Sequence, residues 1–178
     1  AKYTNSDELV GRLLREHPYD EENQPLLKNI AGSIANTDSD ASESDVFYMK
    51  CPINSEASVL LTRLLENAQI PVIRDDPDEV STPSLAWYIQ TAYSAHALAV
   101  HFAGEDINDD QPSVRNANYA LVAGIAYGFE KPVLMLAHQP FASPVDFRDL
   151  LSVHKTAKEC CDIAGRWLAQ IKREVEQK

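Results

Sequence analysis

Cysteine is scarce in this sequence, and what there is forms no framework. Cys51, Cys160 and Cys161 make no CxxC pair and join no Cys/His group with zinc-ligand spacing. A disulfide scaffold is excluded, and the pattern fits a reducing compartment. The adjacent Cys160 and Cys161 suit either a vicinal disulfide or, on a helix, small buried core positions; the second is the commoner use of free cysteine. No apolar run approaches the roughly 18 residues that span a bilayer, and no signal peptide opens the chain, so a cytoplasmic protein is expected. Basic clusters are also missing. Lys and Arg are scattered through a chain of net charge −11 and pI near 4.8. Without a positive footprint, neither a nucleic-acid duplex nor an anionic membrane is an expected partner.

Several nucleotide and catalytic signatures are absent too. There is no GxxxxGK[ST] loop and no GxGxxG turn, so the usual dinucleotide fingerprint is excluded. No serine sits in a GxSxG elbow, which leaves a hydrolase triad without its nucleophile. The acidic stretches do not follow EF-hand spacing. No internal repeat is visible. A resident metal or cofactor is therefore not expected.

What remains is a chain of 178 residues, 44% hydrophobic and 24% charged, enough for one sizeable core. Residues 1–45 read as an extension. SDELVGRLLREH has the spacing of a short amphipathic helix closed by His17-Pro18, PLLKNIAGSIA offers a further turn or two, and NTDSDASESD is an acidic low-complexity linker. From Asp45 onward, short apolar strands alternate with helices. Strands are predicted at 46–50, 70–74, 97–102 and 132–137, and helices at 55–68, 84–95 and 114–129. VDFRDLLSV (145–153) reads as helical, and a last helix runs from about Thr156 to the end. This is the βαβ pattern of a flavodoxin- or Rossmann-like parallel sheet of four to five strands, buried on both faces. The expected organisation is an extension (1–45), a Rossmann-like domain (46–154) and a C-terminal amphipathic helix (155–178). The stripe Cys160, Ile163, Ala164, Trp167, Leu168, Ile171 and Val175 packs that helix on the domain or, alternatively, forms a dimerisation surface. Gly124-x-x-x-Gly128 is expected to bring its helix close to the sheet. Since the chain opens on Ala1 instead of Met, a processed protein or a piece of a larger parent protein is anticipated.

Ligands of open parallel sheets bind beyond the carboxyl ends of the strands. That rule selects the segments Cys51–Glu56, Asp75–Pro83, Ala103–Ser113 and His138–Pro144. The first runs into a helix N-terminus, where Asn54, Ser55 and free backbone N–H groups suit an anion; an ordinary capped helix has the same sequence. The segment after the third strand concentrates Glu105, Asp106, Asp109 and Asp110, suited to a sugar's hydroxyls or a cation and equally to a solvated surface. Asp75, Asp76, Asp78 and Glu79 carry the same two readings. Asn116 and Asn118 are able to hydrogen-bond a base or ribose, or simply to be solvated. His96, His101 and His138 lie at strand ends.

The run NYALVAGIAYGFEKPVLML resembles the segment of nucleoside 2-deoxyribosyltransferase-like proteins in which a helix of the form E-L-G-x-A-x-x-x-x-K-P-V leads into a strand. Gly124, Ala126, Lys131, Pro132 and Val133 match that pattern. The acidic stretch Gly104 to Asp110 and the run WYIQTAYSAHALAVHF look like further segments of the family. The resemblance covers roughly residues 46–140, about half of the chain, and TIR-like and LOG-like domains share a relaxed form of it. It implies a nucleoside or nucleotide ligand and N-glycoside chemistry. The family's catalytic glutamate, which attacks the anomeric carbon, is replaced here by Val122. Valine neither attacks nor stabilises an oxocarbenium-like transition state. Three expectations from different classes stand side by side. The domain has kept the pocket and lost the reaction, serving as a sensor or accessory module of a bacterial defence system. Or another carboxylate has taken over, the candidates being Glu56, Asp75, Glu105 and Asp106. Or the chain is an assembly domain, of a homo-oligomer or of a larger parent protein, whose terminal helices make the contacts. The ligand-binding candidates are Asn54, Ser55, Asp76, Asn116, Asn118 and His138.

Overall fold

A computed structural model describes Gly32, Ala41, Ser42, residues 45–75, 83–104 and 111–141, Phe147 and residues 150–177. The expectations for the rest of residues 1–44, and for Asp76, Asp78, Glu79, Glu105, Asp106, Asp109 and Asp110, lie outside the described residues.

Five parallel strands form one sheet in the order β2-β1-β3-β4-β5. They are β1 (Val46–Met49), β2 (Val72–Asp75), β3 (Ala97–Phe102), β4 (Val133–His138) and β5 (Leu151–His154). Four helices alternate with them: α1 (Glu56–Glu66), α2 (Leu85–Ser94), α3 (Gln111–Gly128) and α4 (Ala157–Glu176). The pleat divides the apolar runs between two layers. Val46 and Tyr48 of β1, Ala97 and Ala99 of β3, and Leu134 and Leu136 of β4 pack with Leu61 and Leu65 of α1 and with Ala164, Leu168 and Ile171 of α4. The alternate residues Phe47, Met49, Leu98, Val100, Phe102, Met135 and Ala137 pack with Ala92 of α2 and with Tyr119, Ala120, Val122, Ala123 and Ala126 of α3. Successive strand residues point to opposite faces, so a strand covered on both sides must be apolar throughout.

Most of the predicted elements form, with shifted ends. β2 begins at Val72 because Pro71 has no N–H to give the ladder; its carbonyl accepts from Val46 N at 2.9 Å. α3 starts three residues early, at Gln111, since proline is compatible with a helix's first turn. The predicted 145–153 helix is corrected at its end: Leu151–His154 is the edge strand β5, in register with Met135–His138. The four residues alternate, Leu151 and Val153 on one face and Ser152 and His154 on the other, and the free edge of β4 captures them. The glycine expectation is also corrected. Among the described residues, a methyl on Gly124 would meet only Phe147, at 3.9 Å, and one on Gly128 would meet nothing within 4 Å. The close approach of α3 to the sheet is made by its buried alanines. The stripe on α4 is consumed by packing: Cys160, Ala164, Leu168 and Ile171 are buried, with Ile163, Trp167 and Val175 against the same core.

Two capping boxes fix helix starts on the site side of the sheet. Ser55 Oγ accepts from Ser58 N while Ser58 Oγ accepts from Ser55 N; Thr156 and Glu159 do the same for α4.

Candidate functional site

The chain leaves β1 toward β2 on one side and crosses to β3 on the other, so the connections diverge between β1 and β3. A cavity of about 250 Å³ opens there, lined by Cys51, Ile53 and Ser55 after β1, His101, Phe102 and Gly104 at the end of β3, and His138, Gln139 and Pro140 after β4. Of the sequence candidates, Ser55 and His138 line it. Asn54 and Glu56 are exposed beside Ser55 at the start of α1. At Gly104 an added Cβ would sit 3.5 Å from His138 O and 3.6 Å from Pro140 O, in ordinary contact with the β4 loop across the gap.

Asn116 and Asn118 part company. Two residues apart on a helix, they face nearly opposite directions; Asn118 is exposed and Asn116 is buried. The Asn116 amide reads the backbone of Ala103 at both ends, accepting from Ala103 N at 3.0 Å and donating to Ala103 O at 2.9 Å. It positions the residue before Gly104.

Asp75, at the end of β2, is buried beneath α2 and α3. Tyr88 donates to one carboxylate oxygen at 3.0 Å, and Tyr119 lies 2.9 Å from the other and 2.9 Å from Lys50 O. Burial first, and the neighbouring Asp75 charge second, push both phenols above their ordinary range. The phenols remain donors to the carboxylate. Val122 is wholly buried on the same helix as Tyr119. Lys131, matched to the family motif, donates to Ala95 O at 2.7 Å and lies over the Tyr93 ring, tying the α3–β4 turn to the start of β3.

Sequence spacing missed a second grouping. On the α1/α4 face, His101 of β3 and His154 of β5 reach toward each other across β4, their Nε2 atoms 3.2 Å apart. Cys160, in the first turn of α4, completes a buried set whose donor atoms all lie within 4.8 Å of one another. His138, paired with His154 in the ladder, sets its ring edge-on to that of His154 at 5.4 Å. Burial, reinforced by His154 and His138, holds His101 down at about 3, and burial lowers His154 as well. Both rings are neutral at pH 7. Burial likewise pushes the Cys160 thiol up to about 12, with Cys161 and Cys51 adding to it. The three residues stand 53 and 6 positions apart in sequence, and only adjacent strand ends and a helix start unite them.

No family model and no curated protein matches this chain. Solved structures do match at the level of fold. One variant of a flavo di-iron protein from Thermotoga maritima aligns with a TM-score of 0.53 at 10% identity, over 96% of this chain and 48% of that one. A second variant gives 0.51 at 12% identity, over 87% and 41%. A flavoprotein from the same organism gives 0.50 at 12%, over 96% and 48%. The chain thus spans under half the length of these proteins, and the likeness establishes a flavodoxin-like fold.

Proposed function

We propose that this chain is a nucleoside- or nucleotide-recognition domain that receives its ligand in the cleft beyond β1, β3 and β4 and does not cleave it. The observation that carries this reading is the position of the cleft, at the point where connections diverge in a sheet of order 2-1-3-4-5. At about 250 Å³ it lies just below the usual range of ligand cavities, roughly 300–1,000 Å³. That size suits one nucleoside or mononucleotide better than a dinucleotide. The first turn of α1, behind Ser55, directs backbone N–H groups toward an anionic end of the ligand. His138 and Gln139 supply exposed polar groups at the rim, and Pro140 an apolar wall.

The absence of cleavage rests on Val122, which offers no carboxylate, and on the state of Asp75, whose oxygens are already occupied by phenols. The resemblance to the deoxyribosyltransferase-like family extends the reading to a sensor or accessory module within a bacterial defence system.

The test is to incubate the purified chain with nucleosides, deoxynucleosides, mononucleotides, NAD and a flavin nucleotide, the last because a fold neighbour is a flavoprotein. Melting temperature and free base by chromatography are followed together. The expected outcome is a melting-temperature rise with a mononucleoside or mononucleotide and no base released. Release of base would replace recognition by N-glycoside cleavage, and Glu56→Gln and Asp75→Asn would then locate the carboxylate. A folded chain whose melting point no such ligand moves would refute the reading.

A further inference from the structure

We propose that His101, His154 and Cys160 form a buried transition-metal site of the zinc type, bound through two imidazole Nε2 atoms and one thiolate. The site lies on the α1/α4 face and shares His101 with the wall of the cleft; its donor set is the same whether or not the cleft takes a nucleotide.

The donor set comes first. Two imidazoles and a thiolate are the ligands that borderline and soft cations such as Zn²⁺ prefer, whereas Mg²⁺ and Ca²⁺ require oxygen. The geometry comes second. Metal bonds of about 2.0–2.1 Å to nitrogen and about 2.3 Å to sulfur in a tetrahedron set the nitrogens about 3.3 Å apart and each about 3.6 Å from sulfur. The Nε2 atoms stand at 3.2 Å, and all donor atoms fall within 4.8 Å, so the thiol closes on the ion by about an ångström or less.

The third argument is what the pair lacks without a metal. His101 is 1% exposed, and its one described polar partner is the other ring. A single Nε2–H···Nε2 bond between neutral rings is a thin return for burying two imidazoles. An ion there engages both Nε2 lone pairs at once, with each ring proton on Nδ1.

Binding requires the Cys160 proton to leave for solvent. Burial opposes that loss. The cation favours it, and so does the position of Cys160 in the first turn of α4, where the helix dipole stabilises a thiolate. The fourth position falls to water. His138 stands beside His154 at the exposed side of the cluster.

Co²⁺ is the probe, because a tetrahedral thiolate site on cobalt gives visible d–d bands and a near-ultraviolet sulfur-to-metal charge-transfer band. The full chain, stripped with a chelator, is titrated with Co²⁺ and then with Zn²⁺. The expected result is one equivalent bound, both sets of bands, bleaching by Zn²⁺, and a higher melting temperature with Zn²⁺. Cys160→Ser should lose the charge-transfer band, and His154→Gln should weaken binding, while Cys161→Ser should retain the wild-type spectrum. A folded wild-type chain with no charge-transfer band overturns the proposal, as does a band that survives Cys160→Ser. The wild-type titration decides the matter even if a core variant fails to fold.

Discussion

Asn116 shows how a residue with a binding-site chemistry is claimed by the backbone instead. Its amide matches the donor–acceptor pair of Ala103, and both contacts are buried. Removing the amide leaves an N–H and a C=O unpaired, at a cost on the order of 1–3 kcal/mol for such a group. Asn116→Ala is therefore expected to lower unfolding stability by about 2 kcal/mol in urea denaturation. Asn116→Asp keeps the acceptor for Ala103 N but sets a carboxylate oxygen against Ala103 O in a buried place, so at neutral pH it should destabilise at least as much as alanine. A wild-type midpoint for the alanine variant would show that the clamp carries no stability. From the sequence alone Asn116 and Asn118 look equivalent. Their difference is only their position around α3, which requires knowing which face of that helix meets the sheet.

At the scale of elements, the end of α3 is the most specific piece of local chemistry. Glu130 has φ 59°, Glu130 N donates to Tyr127 O, and Lys131 N donates to Ala126 O. This is a Schellman cap with a glutamate at the left-handed position, where glycine is the usual occupant. A β-carbon there costs about 1 kcal/mol relative to glycine. Glu130→Gly is thus expected to stabilise the chain by about 1 kcal/mol, read as a higher denaturation midpoint at unchanged slope. A lower midpoint would mean that the glutamate's own contacts outweigh the backbone strain. The end of this helix, expected at 129, was legible to within a residue of Gly128, but the cap residue was not. β5 shows the converse failure. LLSVH is too short to declare a period, and the apolar residues before it suggested a helix; pairing with β4 decided the matter.

For the whole molecule, the histidine cluster ties acid stability to the fold. Folding takes His101 from the ordinary 6.5 down to about 3, and His154 shifts the same way. The unfolded chain therefore binds more protons than the native one between these values. The stabilising contribution is complete above pH 6.5 and is lost as pH falls toward 3. The groups facing His101 are His154 of β5, His138 of β4 and the Cys160 thiol of α4, none of which supplies a negative charge at neutral pH to favour protonation. In chelator-treated protein, stability measured by denaturant should decline through this window in the wild type and less steeply in His101→Gln. Equal slopes would show that His101 does not govern the acid limb.

The sequence by itself determined the layered α/β architecture, four of the five strands and the four helices α1 to α4. These follow from local periodicity, caps and the rule that doubly covered strands are apolar throughout. Spacing could not determine which polar residues meet. Ser55 and His138 face one cleft, Asp75 is held by Tyr88 and Tyr119, and His101, His154 and Cys160 gather under β4's neighbours. Each grouping joins side chains from different elements, so it depends on strand order and register, which are set by long-range pairing and not by any local pattern.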